Sequence, residues 1–162
     1  MIRKFSLTVT SLIGLAAATC FAAEKTYTFG IVAKSNNNPV FQAAKTGAED
    51  EAKKLSQEKG VDIKIDWRTP NEEDPQKQAD AIEQLVNAGV SGISVSASDA
   101  NKLTDAINKA VDSGVPVAMF DSDAPKSKRF VIFGTDDIDC GHQVMAELAK
   151  EIRINTFSFD RK

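Results

Sequence analysis

The sequence predicts an α/β fold, a three-layer αβα sandwich in which a parallel sheet lies between two layers of helices. Short runs rich in Val and Ile alternate along the chain with stretches of about 15 residues whose apolar positions recur every three or four residues. This alternation is typical of βαβ units, whose right-handed crossovers place helices on both faces of the sheet. The segments after the strands are rich in Asn, Ser and Asp. Ligands of such sheets bind beyond the carboxyl ends of the strands, so these segments are the candidates for a site.

The first predicted strand and helix flank an Asn-rich loop. The apolar run Tyr27–Ala33 predicts the strand. Pro39 begins a helix that extends to about Lys59, and Gly60 ends it, because proline is tolerated in the first turn and glycine is favoured just past the last. The predicted apolar face of this helix consists of Phe41, Ala44, Ala48, Ala52 and Leu55.

A second strand and helix follow. Val61–Trp67 alternates between apolar and polar residues, and we interpret Trp67 as a packing residue, with contact at the site as the alternative. After a polar loop, Asp74 is the predicted N-cap of a helix that starts at Pro75 and stops at Gly89. The predicted buried stripe of this helix consists of Ala79, Ile82, Leu85 and Val86.

The next units repeat the pattern. Val90–Val95 predicts a third strand, and either Ser98 or Asp99 caps a third helix that Gly114 closes. The apolar positions of that helix are Leu103, Ile107, Ala110 and Val111. The remaining predicted elements are a fourth strand at Val115–Phe120, a fifth at Arg129–Phe133 and a helix from Cys140 to about Ile152 with a stripe of Val144, Leu148 and Ile152. From residue 154 to residue 160 the helical period is lost, which predicts a terminal stub.

The first 22 residues have the parts of a secretory signal. Arg3 and Lys4 precede a short apolar run, and the small residues Cys20 and Ala22 end it, which predicts cleavage after Ala22 and localisation to the periplasm. Polar residues interrupt the run, so it is a poor membrane anchor. Lipid attachment at Cys20 and a buried helix without any export role are the alternatives.

Charge and cysteine content limit the classes of partner and the disulfides that we expect. A leader of 22 residues carries two positive charges, so its removal takes the formal charge from −3 to −5. An acidic domain argues against nucleic acid and against an anionic membrane surface, because both require a basic footprint. After cleavage Cys140 is the only cysteine, so no internal disulfide can form. We expect no insertion into the membrane once the signal is removed.

The sequence carries no signal for catalysis. It has no Gly-rich phosphate loop, no dinucleotide fingerprint and no nucleophile elbow. Asp136, Asp137, Asp139, Cys140 and His142 suggest a metal site, but adjacent acids usually diverge in space and zinc needs three or four close ligands. We predict no catalytic residue, no cofactor and no metal.

Five segments, behind an export signal and in one register, carry a family resemblance. They are Phe29–Val32, Asn38–Phe41, Ala81–Ile93, Gly114–Val117 with Phe120 and Asp121, and Gly134–Asp137 with Gly141. In these segments the chain resembles the amino-terminal half of periplasmic sugar-binding proteins of the ribose, galactose and xylose type, the substrate-binding components of ABC importers. The resemblance covers about residues 26 to 150.

The resemblance implies one lobe of a type I periplasmic binding protein with a monosaccharide site. Asn38 matches the amide that binds sugar hydroxyls, Phe41 matches a stacking ring, and Asp121 matches a carboxylate that accepts from two hydroxyls. Ser96 stands where a polar contact is common, and Lys34 matches a lysine of some hexose binders.

Two departures leave the sugar open. Val40 stands where relatives often carry an aromatic residue, and Ser122 stands where many carry arginine. Local interpretations also remain: Asn38 is typical of an ordinary turn before a helix, and Phe41 is equally consistent with the core. Asp123 is interpreted as part of a turn.

The resemblance also bears on domain organisation, because the family fold has two lobes. We therefore divide the chain into a signal peptide (1–22), an amino-terminal sugar-binding lobe (23–138) and the start of a second lobe or a truncated tail (139–162). The chain is interpreted as a fragment or truncated product that binds sugar weakly or not at all.

The predicted function is reversible binding of a pentose or hexose for an ABC permease, without covalent chemistry. One alternative is an exported receptor domain that reports sugar to a signalling partner. Another is an exported enzyme of flavodoxin-like shape that uses Asp121 and Asp123 as acid and base. We expect the binding protein, since no catalytic motif accompanies the two acids.

Overall fold

The computed structural model describes residues 25–152. The predicted signal, with Cys20, and the predicted stub after residue 153 lie outside the described residues. Five strands and four helices are described: β1 (Thr26–Val32), α1 (Pro39–Lys59), β2 (Asp62–Trp67), α2 (Pro75–Asn87), β3 (Gly92–Val95), α3 (Ala100–Asp112), β4 (Val117–Phe120), β5 (Val131–Phe133) and α4 (Asp137–Glu151). None of these helices combines the length and apolar character that a bilayer span requires.

The strands form one parallel sheet in the order β2-β1-β3-β4-β5, which confirms the predicted fold class. With right-handed crossovers, α1 covers one face, and α2 and α3 cover the other. The connection from β1 to β2 runs toward one edge of the sheet, and the connection from β2 to β3 runs back past β1 in the other direction. The sheet therefore has its switch point between β1 and β3. The carboxyl ends of all five strands meet at one edge.

Capping side chains define the starts of the helices. Asp74 accepts hydrogen bonds from two backbone N–H groups of α2, as predicted, and Asp99 rather than Ser98 caps α3. Helix α4 begins three residues earlier than predicted, at Asp137 instead of Cys140, because the Asp136 carboxylate accepts from the first free N–H groups.

Strands β3, β4 and β5 each begin two residues later than predicted. Val90 and Val115 are buried as strand residues would be, but their N–H groups bond the carbonyls of Leu85 and Ala110 in the preceding helices. They therefore belong to the turns that end α2 and α3. Apolar character alone cannot separate such a turn residue from a strand.

The core lies between the sheet and the layer formed by α2 and α3. Its largest fully buried apolar side chains are Val32, Ile82, Leu85, Val95, Leu103, Ile107, Val117 and Met119. Helix α2 comes close to β1 at Gly30, where an added Cβ would lie 2.5 Å from Leu85 Cδ1. Only glycine permits this approach.

The last strand and helix differ from the core. Helix α4 forms as an amphipathic helix, but none of its described side chains is buried. The exposed large apolar residues of this region are Phe130, Phe133, Ile138, Val144, Met145, Leu148 and Ile152. The predicted stripe of α4 therefore has no cover within the described residues.

Candidate functional site

Three of the predicted site residues meet at the switch point of the sheet. The Oδ2 atom of Asp121, which follows β4, accepts from Ser96 Oγ at 2.8 Å and lies 3.1 Å from Lys34 Nζ. Ser122 Oγ donates to the same oxygen at 3.1 Å. Lys34 follows β1 and Ser96 follows β3, so three strand ends converge on one carboxylate. This is the place where open α/β sheets bind ligands.

The backbone of Asp121 is strained. Its φ is 59°, which is the only positive φ of a non-glycine residue among the described residues. The Ser122 N–H donates to the Phe120 carbonyl at 2.6 Å, and this bond closes a γ-turn around Asp121. A γ-turn with positive φ is rare and costs energy, and such strain is concentrated at functional sites. The Asp121 N–H bonds Phe133 in β5 and helps to keep the turn in place.

The surroundings of Asp121 keep it ionised. Partial burial raises the pKa of its carboxyl, but hydrogen bonds from Ser96, Lys34 and Ser122, together with the charge of Lys34, outweigh burial and hold the pKa below its usual range. All three donors bond Oδ2, and Oδ1 has no donor among the described residues. With 42% of the side chain exposed, Oδ1 can accept a hydrogen bond from a ligand.

Asn38 lies in the same loop as Lys34 and caps α1. Its Oδ1 accepts from the Val40 N–H at 3.0 Å, which is the local role of an ordinary helix start. Its Nδ2 donates to no described residue. The capping bond fixes the side chain, and the amide N–H groups remain able to donate to an acceptor beyond the sheet edge.

Phe41 lies in the core, which was one of its two open interpretations. The residue is 3% exposed, and its ring meets Phe120 edge-on, with centroids 6.2 Å apart and planes at 85°. This contact joins the start of α1 to the end of β4, directly before Asp121. The ring offers no open face here, so stacking on a sugar stays a prediction.

The sequence indicated Trp67 at the site only as an alternative, and it did not indicate Asn36. Asn36 Oδ1 accepts from Trp67 Nε1 at 3.2 Å and from Gln42 Nε2 at 2.9 Å, and the Asn36 N–H bonds the Pro70 carbonyl at 2.7 Å. Trp67 therefore borders the loop that carries Lys34 and Asn38. The sequence signal that could have indicated this contact is a single tryptophan at the end of a strand.

Asp123 is engaged in its turn, as the sequence predicted. Its carboxylate accepts from Arg129 Nε and Nη2, both at 2.7 Å, and from the Ala124 N–H at 2.8 Å. The Arg129 hydrogen bond is the main reason that the pKa of Asp123 is lowered. A carboxylate held ionised in this way is poorly suited to exchange protons at neutral pH, which weakens the enzyme hypothesis.

An open depression of about 520 Å³ adjoins this site. Asp121, Ser122, Gly134, Thr135 and Asp136 are among the residues that line it. A groove of similar volume, about 530 Å³, lies between α2 and α3 and is lined by helix residues. We place the candidate site at the strand ends beside the first, because strain and a bonded carboxylate coincide there. Asp121 joins the two, since it lines the depression while Lys34, Asn38 and Ser96 are not among its lining residues. Cys140 is exposed and forms no disulfide within the described residues.

Comparison with known proteins gives consistent results. Residues 29–154 match the periplasmic binding protein domain. The ribose import binding protein of Bacillus subtilis is 29% identical over 129 residues, which are 80% of this chain and 40% of that protein.

Solved structures of sugar-binding proteins are also similar to this chain. The sugar-binding protein of a sugar ABC transporter from Bacillus halodurans is 31% identical with a TM-score of 0.70, over 80% of this chain and 42% of that chain. An arabinose-binding protein from Geobacillus stearothermophilus is 30% identical with a TM-score of 0.70, over 79% and 42%. The chain thus spans less than half the length of these relatives.

Proposed function

Since the chain belongs to the periplasmic binding protein domain family, we propose that it binds a monosaccharide reversibly, as the substrate-binding component of an ABC sugar importer in the periplasm. Its ligand is a pentose or hexose, and its partner is the importer's membrane permease. The absence of a catalytic motif from the sequence favours binding without covalent chemistry. Three relatives named for ribose, for sugar and for arabinose support the ligand class.

One observation carries this proposal: among the described residues, Oδ2 of Asp121 has three donors and Oδ1 has none. Sugar hydroxyls donate and accept, so a sugar needs acceptors and donors side by side. Oδ1 of Asp121 is the acceptor, and the donors are the remaining N–H groups of Lys34 Nζ and the Nδ2 group of Asn38. Hydrogen bonds to charged groups contribute about 1.5–3 kcal/mol each, so the Asp121 carboxylate and the Lys34 ammonium supply the largest polar contributions.

We propose that the described residues form one wall of a binding cleft. Relatives are more than twice as long as the matched part of this chain, and closure of domains around a ligand is a common mechanism. A single wall leaves much of the sugar in water, so we propose that the described residues on their own bind sugar weakly. A receptor that signals to a membrane partner would use the same wall and would differ only in the partner.

An NMR titration tests the site. The chain from residue 23 is labelled with ¹⁵N and titrated with D-ribose, D-arabinose, D-xylose and D-galactose. We expect amide shifts at Lys34, Asn38, Ser96 and Asp121 with a dissociation constant in roughly the millimolar range. A micromolar dissociation constant would contradict the proposal that a single wall binds the sugar weakly. The lack of any amide shift would contradict sugar binding.

Two variants control this titration. Asp121→Asn keeps the size of the side chain, and asparagine tolerates the positive φ, so the loss of charge is isolated. We expect it to abolish the shifts. Asp112→Asn removes an exposed carboxylate of α3 that pairs with Lys128 and should leave them unchanged. Equal binding by wild type and Asp121→Asn would place the ligand elsewhere.

A further inference from the structure

Gln78 is a polar residue on the buried face of α2. Its side chain is fully buried, and Gln78 and Ser96 are the two buried polar residues in the described part of the chain. The neighbouring buried positions of α2 are apolar: Ala81, Ile82 and Leu85. An amide in such a place is costly unless it is fully hydrogen-bonded.

The Gln78 amide makes four hydrogen bonds. Nε2 donates to the carbonyls of Ala33 and Ser96, both at 2.8 Å. Oε1 accepts from the Ser98 N–H at 3.0 Å and from Ser98 Oγ at 2.5 Å. A glutamine amide has two donors and two acceptor lone pairs, so its capacity is used completely.

The two carbonyls that Gln78 binds belong to the site. One is the carbonyl of Ala33, which directly precedes Lys34, and the other is that of Ser96 itself. Lys34 and Ser96 supply two of the three donors on Asp121 Oδ2. The pairing of β1 with β3 ends at Val32 and Val95. The Gln78 side chain therefore connects the two segments that follow these strands, at the point where they leave the sheet.

We propose that Gln78 is a positioning residue for the ligand site: its buried amide sets the distance between the loops after β1 and β3, so that Lys34 and Ser96 meet on the Asp121 carboxylate. The link to ligand binding rests on the proposed function. A purely structural role, in which Gln78 only satisfies two carbonyls, would affect the free energy of unfolding and leave the state of Asp121 unchanged.

The side-chain carboxyl of Asp121, followed by ¹³C NMR as a function of pH, separates the two roles. Gln78→Met keeps the length of the side chain and removes all four hydrogen bonds. We expect the pKa of Asp121 to rise toward its ordinary value of 3.8. We also expect the sugar-induced amide shifts to require about tenfold more D-ribose or D-arabinose, because a hydrogen bond to a charged group is lost.

Ile82→Ala is the matched control. It removes a fully buried side chain of the same helix that makes no hydrogen bond, and it should lower stability without moving the Asp121 titration. The proposal is wrong if Asp121 titrates alike in wild type and Gln78→Met, or if Ile82→Ala moves the titration equally.

Ser98→Ala covers the case in which Gln78→Met does not fold. It removes one of the two donors to Gln78 Oε1 and keeps the buried amide, so we expect a smaller rise in the same direction. An unchanged Asp121 titration in Ser98→Ala would then overturn the positioning role. If wild type binds none of the sugars, the proposed function fails, while the titration of Asp121 still decides whether Gln78 positions its carboxylate.

Discussion

Helices α3 and α4 share an amphipathic pattern and differ in their surroundings. Both are amphipathic, both start at an aspartate cap, and they contain 13 and 15 residues. In α3 the apolar side chains of Leu103 and Ile107 are completely buried. In α4 the apolar residue Leu148 is 51% exposed, and Phe133 in the preceding strand is 71% exposed.

The difference shows that an apolar stripe defines which face of a helix can be buried, and not whether it is. Helix α3 packs with α2 over the sheet, so hydrophobic burial stabilises both. Helix α4 follows the edge strand β5 and finds no such layer within the described residues. We therefore expect the α4 stripe to contribute little to the stability of the described residues, and truncation of single side chains can measure the contrast with α3.

The largest expected effect is in the covered helices. Leu85→Ala removes a fully buried side chain of α2 and should lower the free energy of unfolding by about 2–5 kcal/mol, because a cavity remains. Leu148→Ala makes the same chemical change in α4 and should alter it by less than about 0.5 kcal/mol. Urea denaturation measures both. A cost for Leu148→Ala as large as that for Leu85→Ala would mean that the stripe of α4 is covered in solution.

A smaller effect is expected at the helix caps. Asp99 accepts from two N–H groups of α3 at 3.0 and 3.1 Å, and Asp136 makes the same pair of bonds in α4 at 3.0 and 3.1 Å. Asp99→Ala should reduce global stability by about 1 kcal/mol. Asp136→Ala should increase hydrogen exchange in α4 alone and leave the urea midpoint unchanged. Equal shifts of the midpoint would show that the two helices unfold together.

The smallest effect is expected at the boundary between the two regions, where Asp123 after β4 pairs with Arg129 before β5. The Arg129 bond lowers the pKa of Asp123, so the pair stabilises the fold fully above 3.8, the ordinary value, and loses this effect as the pH falls through the lower folded value. Asp123→Asn should be less stable than wild type at neutral pH, and the difference should shrink in acid below 3.8.

Urea midpoints at a series of pH values measure this difference. Asp112→Asn breaks the more exposed pair with Lys128 and should have a smaller effect at neutral pH. A difference for Asp123→Asn that grows as the pH falls would contradict the assigned sign.

Local signals allowed most element boundaries to be predicted. Pro39 with Gly60, and Pro75 with Asp74, act through their own backbone, so their effects are visible in sequence. The start of α4 was predicted too late because several acids in this stretch could serve as cap, and only Asp136 takes the role. The exposure of α4 depends on its neighbours in space, about which its own stripe carries no information.

The candidate site was predicted in part. The resemblance indicated Lys34, Ser96 and Asp121, and the strand order brings these three together. Gln78 was missed because a search for apolar periodicity passes over a polar residue, although it occupies a core position. The positive φ of Asp121 was missed as well, since it results from the contacts of Phe120, Ser122 and Phe133 in the folded chain.

The indole of Trp67 gives this molecule a built-in optical reporter. It is the single tryptophan of the chain, and its N–H bonds the Asn36 side chain in the loop that also carries Lys34 and Asn38. Emission from this one fluorophore will therefore respond to local polarity and solvent access beside the candidate site, without any label. Ligand screening can then follow a single intrinsic signal with no background from other indoles.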